Sequence, residues 1–213
     1  MQAYGDAAAS VSFSRPKINA GWSWPLWGVA AGVFGMIGTM FSEQRIDEDI
    51  RGSGTAVIAE LNHWNFQAGI ITGLIATFAI LAFAAGWQRW ADRRALGENL
   101  AARLVSLSLV ASAGAMIIAY GFKGSLAVYL DGGMDEGSYP AENLLMVFMI
   151  NDFAPFLCWW GATFASIGIA WLALKDGLLP KWMGFAAAFL ALVPIVIVGI
   201  TGLPGIPGGT ASL

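Results

Sequence analysis

Five long runs of apolar residues alternate with polar segments along this chain, and none of the five contains a charged side chain. They cover residues 25–41, 66–87, 104–122, 156–174 and 182–203. Each has the roughly 17 to 25 residues that a helix needs to cross the hydrocarbon core of a bilayer. The pattern predicts an all-α membrane protein, with a bundle of five transmembrane helices over residues 22–203. Residues 1–21 are small and polar, with Arg15, Pro16 and Lys17 beside the first run, and predict a flexible arm. Residues 204–213, with Pro204 and Pro207 among glycines, predict an irregular tail.

The connections carry their own signals. Between the first two runs, Gly52, Ser53 and Gly54 break any regular element, and Thr55 is placed to cap a helix that continues as the second span. On that helix Glu60, His63 and Gln67 recur at i, i+3 and i+7 and share one face. Before the fourth run, Asp131, Gly132, Gly133, Asp135, Gly137 and Pro140 read as turns. Residues 141–150 are apolar but too short to span, and Asn151, Asp152 and Pro155 follow. That order suits a short interfacial helix and a fresh start of span four; one long helix kinked near Pro155 is the alternative.

Charge adds an orientation. Arg15, Lys17, Arg89, Arg93, Arg94, Arg103, Lys175 and Lys181 fall on the side of the N-terminus, while Arg45, Arg51 and Lys123 fall on the other. The positive-inside rule then places the N-terminus in the cytoplasm and, after five crossings, the C-terminus outside. Trp22, Trp24, Trp27, Trp87, Trp90 and Trp182 fit an aromatic belt at the cytoplasmic interface. No A-x-A-like site ends the first run, so it reads as a retained span and not a cleaved signal. With 57% hydrophobic and 12% charged residues, the composition places the chain in a membrane, taken to be of the bacterial inner type.

Lipid tails are as apolar as leucine, so membrane helices associate where small residues let them approach. Gly28, Gly32, Gly35 and Gly38 form a long face on the first span, and Gly69 and Gly73 form G-x-x-x-G on the second. Gly161, Ala165 and Gly168 do the same on the fourth, with Gly184, Ala188 and Ala191 on the fifth and Ser108 and Ser112 a milder version on the third. Packing within one bundle explains most of these, and the first span's face is long enough for a further partner.

Candidate chemistry is sparse. Cys158 is the single cysteine, which rules out an intrachain disulfide and a cysteine metal cluster. His63 is the single histidine, and Glu60-Leu61-Asn62-His63 matches only one E-x-x-H where a di-iron bundle uses two. No metal site is assigned, and a bis-histidine haem is excluded. A porphyrin or chlorophyll-type pigment held through His63 is the remaining cofactor reading, beside that of an interfacial polar residue. Tyr120 and Lys123 at the end of span three, and Asn151 and Asp152 at the start of span four, fall at the depth of His63 and Gln67. These residues and Glu60, with Trp159 as an aromatic wall, form a candidate ligand pocket in the outer leaflet; helix capping by Asp152 and a Lys123–Asp152 pair are the competing explanation. No G-x-S-x-G, Walker A or H-E-x-x-H motif is present, so no catalytic residue is assigned.

The first expectation for function is a non-catalytic membrane subunit or scaffold. It would pack against other membrane protein subunits or copies of itself and bind membrane lipids or a hydrophobic cofactor. The second is an outer-leaflet lipid- or small-molecule-binding protein or enzyme built around His63 and Asp152. Nucleic acid is excluded as a partner, because the basic clusters are explained by topology.

Overall fold

The computed structural model describes residues 23–42, 44, 46, 50, 53–94 and 96–201. The expected arm over residues 1–21 and tail over residues 204–213 lie outside them. All regular structure among the described residues is helical: α1 (Trp24–Met36, prolonged by a π-helical turn, Ile37–Phe41), α2 (Ala56–Ala59), α3 (His63–Arg93), α4 (Leu100–Tyr129), α5 (Ala141–Leu174) and α6 (Lys181–Thr201). Helices α3, α4 and α5 are long and apolar enough to cross a membrane, and Trp24–Met40 and Lys181–Ile197 are shorter apolar helical stretches. Large apolar side chains such as Phe78, Leu107, Ile118 and Phe185 are exposed along them. This is the character of a membrane protein, whose outward faces meet a solvent as apolar as themselves.

The apolar helices pack in chain order, α1 against α3, α3 against α4, α4 against α5 and α5 against α6. Turns at residues 94 and 96–99, and at residues 175–180, lie between them at one end. There Asn99 caps α4 by accepting from Ala102 N–H at 3.1 Å, and its Nδ2 donates to Asp176 at 3.0 Å, tying the two turns together. Trp24, Phe83, Trp87 and Trp90 pack at the same end, where Arg89, Arg93, Arg94, Lys175 and Lys181 also lie. At the other end α2 closes the row, with Ile58 and Leu61 packed among Phe66, Leu126, Leu130 and Leu144.

Two boundaries differ from the sequence expectation. The helix expected to run from Thr55 into the second span stops at Ala59, and α3 begins afresh at His63. Asn62 adopts an extended conformation and its side chain accepts from Trp64 N–H at 3.0 Å, while Gln44 bonds both Glu60 O and Asn62 N–H. The local cap and the Gln44 bridge satisfy the backbone groups that continuous helix would otherwise pair. Glu60 therefore lies outside α3, and the expected face of Glu60, His63 and Gln67 does not form.

The second difference is at Pro155, where the interfacial helix and the fresh start give way to one continuous helix. A proline there removes only the hydrogen bond to the Asn151 carbonyl, and membrane helices tolerate that loss when packed. Leu144, Asn151 and Ala154 are all buried, so packing secures both sides of the proline. At 1.5 Å per residue the 34 residues of α5 extend about 51 Å, so the helix outreaches a hydrocarbon core of about 30 Å.

Small residues mark the closest seams. A Cβ on Gly161 would overlap Ser108 O and Ser112 on α4, and one on Gly168 would lie 2.9 Å from Ala101 O. Ala165 is buried between them. On the other side of α5, a Cβ on Gly184 would approach Ala173 and Leu174 at 2.7 Å. Gly28 and Gly35 turn toward Phe83 and Ala76 of α3, so the first span's glycine face is largely taken up within the chain; Gly32 has open space before it. We expect Gly161→Leu to destabilise the fold by about 1–3 kcal/mol through overpacking at the seam. Gly32→Ala should stay within about 0.5 kcal/mol of the parent. Equilibrium unfolding in mixed micelles checks both.

Candidate functional site

The end of α1 sets up the polar centre of the molecule. In an α-helix Ser42 N–H would pair with Gly38 O, but in the π-helical turn it bonds Ile37 O at 3.0 Å. The Gly38 carbonyl is thereby released. It accepts from Ser42 Oγ at 2.7 Å and from Lys123 Nζ at 3.0 Å, and the ammonium lies 3.4 Å from Ser42 Oγ. A helix C-terminus carries the negative end of the macrodipole, so a cation is favoured there. Lys123 is only 3% exposed, which makes it a charge inside the packed helices, where the sequence placed it at the edge of an uncharged span. Helix α4 continues past it to Tyr129.

Glycines make the slot that holds this side chain. A Cβ on Gly69 would fall 2.6 Å from Lys123 Cδ and from Ser42 Oγ, and one on Gly73 would overlap the Tyr120 ring. Gly38 closes on the same ring from α1, with Tyr120 Oη 3.0 Å and Thr72 Oγ1 3.1 Å from where its Cβ would stand. The G-x-x-x-G of the second span thus receives side chains at i and i+3 of α4, instead of a bare helix backbone. Ser42 and Thr72 were not singled out in the sequence. Their only sequence signal is placement: each lies four residues after a glycine or alanine whose carbonyl its hydroxyl takes, with Thr72 Oγ1 donating to Ala68 O at 2.8 Å.

His63 has a different setting. It is the first residue of α3, half-buried, with Nδ1 3.0 Å from Asp131 O and its ring 4.7 Å from Trp64. Gly132 backs the ring with φ +81, and a Cβ there would come within 2.6 Å of His63 Cε1, so glycine is required twice over. With Asp131 O as acceptor, Nδ1 carries the proton of the neutral ring and Nε2 keeps the lone pair.

Asn151 is buried at 2% exposure, whereas Glu60, Gln67, Asp152 and Trp159 are at the surface. The structure therefore brings Tyr120 and Lys123 together with Gly38, Gly69 and Gly73. Neither of the two clefts described for the fold is lined by any of the eight sequence candidates; one is an apolar cleft of about 390 Å³ between α4 and α5, bordered by Ile118, Phe122, Met149, Phe153 and Leu157. Among the described residues no group of three or more histidine, cysteine or acidic side chains is positioned to hold a metal ion. Comparison with protein-family models, curated proteins and solved structures gives no match.

What this centre can do chemically is fasten the end of α1 to α3 and α4. Replacing Lys123 by methionine should speed hydrogen exchange of the Gly38–Ser42 amides about tenfold, equivalent to one hydrogen bond to a charged group at about 1.5 kcal/mol. Exchange in the middle of α4 and α5 should stay unchanged. Equal rates in both proteins over Gly38–Ser42 would show that the ammonium does not hold this end.

Proposed function

We propose that this chain is a non-catalytic integral membrane subunit or scaffold that crosses the bilayer five times, with its N-terminus on the cytoplasmic side and its C-terminus outside. It packs against partner membrane proteins or further copies of itself and holds lipid along its outer faces. The observation that carries the reading is the row arrangement. Helix α6 packs chiefly on α5 through Gly184, Ala187, Ala191 and Pro194, and leaves Trp182, Phe185, Phe189, Leu192 and Ile200 facing outward. The buried polar groups support it as well: Lys123 closes a helix end, and a charge used to join helices is not lining an open path.

A second reading, the outer-leaflet ligand site around His63 and Asp152, draws on one observation. The Asp131 carbonyl on Nδ1 leaves Nε2 as the ring's single donor atom, the arrangement that orients an imidazole toward a metal-centred pigment. A visible absorption band in protein extracted from native membranes, lost in His63→Ala, would favour it.

Two measurements test the main proposal. Blue-native electrophoresis of gently solubilised membranes should show the chain in a species larger than its 22.5 kDa monomer with bound detergent; migration as a free monomer alone would count against a subunit role. In a Cys158→Ala background, Ser138→Cys should react with an impermeant maleimide from outside the cell and Glu98→Cys only after the membrane is opened. The reverse labelling would invert the proposed topology.

A further inference from the structure

A cleft of about 500 Å³ opens between α3 and α4 at the end of the molecule that bears the basic residues and the tryptophans, opposite the Lys123 centre. Gln88 and Asp92 border it from α3, Gly97 and Glu98 from the turn, and Arg103, Ser106 and Leu107 from α4. Its volume lies within the roughly 300 to 1,000 Å³ of small-ligand sites.

Three features make it a built site and not a gap between helices. Opposite charges are held in fixed places: Asp92 Oδ1 accepts from Gln88 Nε2 at 3.0 Å, and Arg103 is folded back so that its Nε donates to Gly97 O. Ser106 is only 9% exposed, and its hydroxyl is the one buried side-chain polar atom without a partner among the described residues. The reason is local. A helical serine ordinarily bonds the carbonyl four residues back, as Ser125 and Ser166 do here, but Ala102 O already takes Trp87 Nε1–H at 3.0 Å in addition to its helical bond. An unpaired buried hydroxyl costs about 1–3 kcal/mol. Third, the cleft runs from charge to hydrocarbon. Leu107 is 68% exposed one turn from Arg103, and Val110 on α4 and Leu81 on α3 continue an exposed apolar track away from the charged end.

The geometry points to a binding site for an aminophospholipid headgroup of the phosphatidylethanolamine type, with its acyl chains along Leu107, Val110 and Leu81. The primary ammonium pairs with Asp92 and Glu98, and the phosphate with the Arg103 guanidinium. Within the cleft lining two carboxylates stand against one guanidinium, which matches a headgroup that carries an ammonium beside its phosphate. They also distinguish a primary ammonium, which donates N–H bonds, from a trimethylammonium, which donates none. The inference rests on the membrane-spanning reading above but not on the subunit role, because lipid retention is read on each chain whether or not it has protein partners.

The test is native mass spectrometry of the full chain released from nanodiscs containing equal parts of phosphatidylethanolamine, phosphatidylglycerol and phosphatidylcholine. The ethanolamine lipid should be retained roughly tenfold over each of the others, the value of one charge-assisted hydrogen bond. Asp92→Asn with Glu98→Gln should abolish that preference, and Arg103→Gln should weaken the ethanolamine and choline lipids alike. These three side chains border the cleft at the protein's edge, and unchanged melting in detergent confirms that the variants fold. Equal retention of the three lipids by the parent, or an unchanged preference in the Asp92/Glu98 variant, would overturn the proposal. Soluble glycerophosphoethanolamine separates the two sources of this headgroup: failure to displace the lipid fits a site that also grips the chains, and displacement at equal concentration would overturn the lipid assignment.

Discussion

Close approach at a few small residues is the constraint on which the rest of this structure depends. Burying leucine between helices gains little when the surroundings are equally apolar, so contact must come from dispersion at short range and from hydrogen bonds between helices. The α4–α5 seam does both at once: the absence of a Cβ at Gly161 brings its backbone against Ser108 and Ser112, and Ser112 Oγ then reaches Cys158 O. The α1–α3–α4 junction applies the same means differently. There the absent side chains of Gly69 and Gly73 leave a slot, and the slot is filled by Tyr120 and Lys123.

Polar groups follow from that closeness. Without water, every displaced carbonyl or hydroxyl must find a partner within the protein, and each pairing fixes the relation of two helices. The π-helical turn of α1 frees one carbonyl, and Lys123 of α4 takes it. Trp87 of α3 takes a second bond on Ala102 O of α4, which locks those helices together and in doing so leaves Ser106 without its usual acceptor. The first pairing completes a helix end. The second leaves an unmet hydrogen bond beside a charged cleft.

Much of the fold was legible because hydrophobic run length is a direct consequence of helix geometry. The second, third and fourth runs lie on the three long helices, the first and fifth on shorter apolar ones, and close seams fall at Gly161 and Gly168. The extents of the helices were less legible. Charge-free runs understate α3, α4 and α5, because a charged residue ends a run in sequence but not in space: Lys123 turns inward and donates to the Gly38 carbonyl, and α4 proceeds two further turns. Proline misled in the other direction, since Pro155 removes one hydrogen bond from a helix held by packing on both sides. The site was harder still. Tyr120 and Lys123 enter one slot, made by glycines whose spacing had suggested backbone contact.

Gly73 on α3 and the Tyr120 ring on α4 form one interlocked unit, and a double-mutant cycle between Gly73→Ala and Tyr120→Ala, read by equilibrium unfolding in mixed micelles, measures their coupling. The added methyl should be costly beside tyrosine and nearly neutral beside alanine, with a coupling on the order of 1–3 kcal/mol. Effects that add to within about 0.5 kcal/mol would mean that the two positions do not touch as described, and would contradict the packing from which the rest is built.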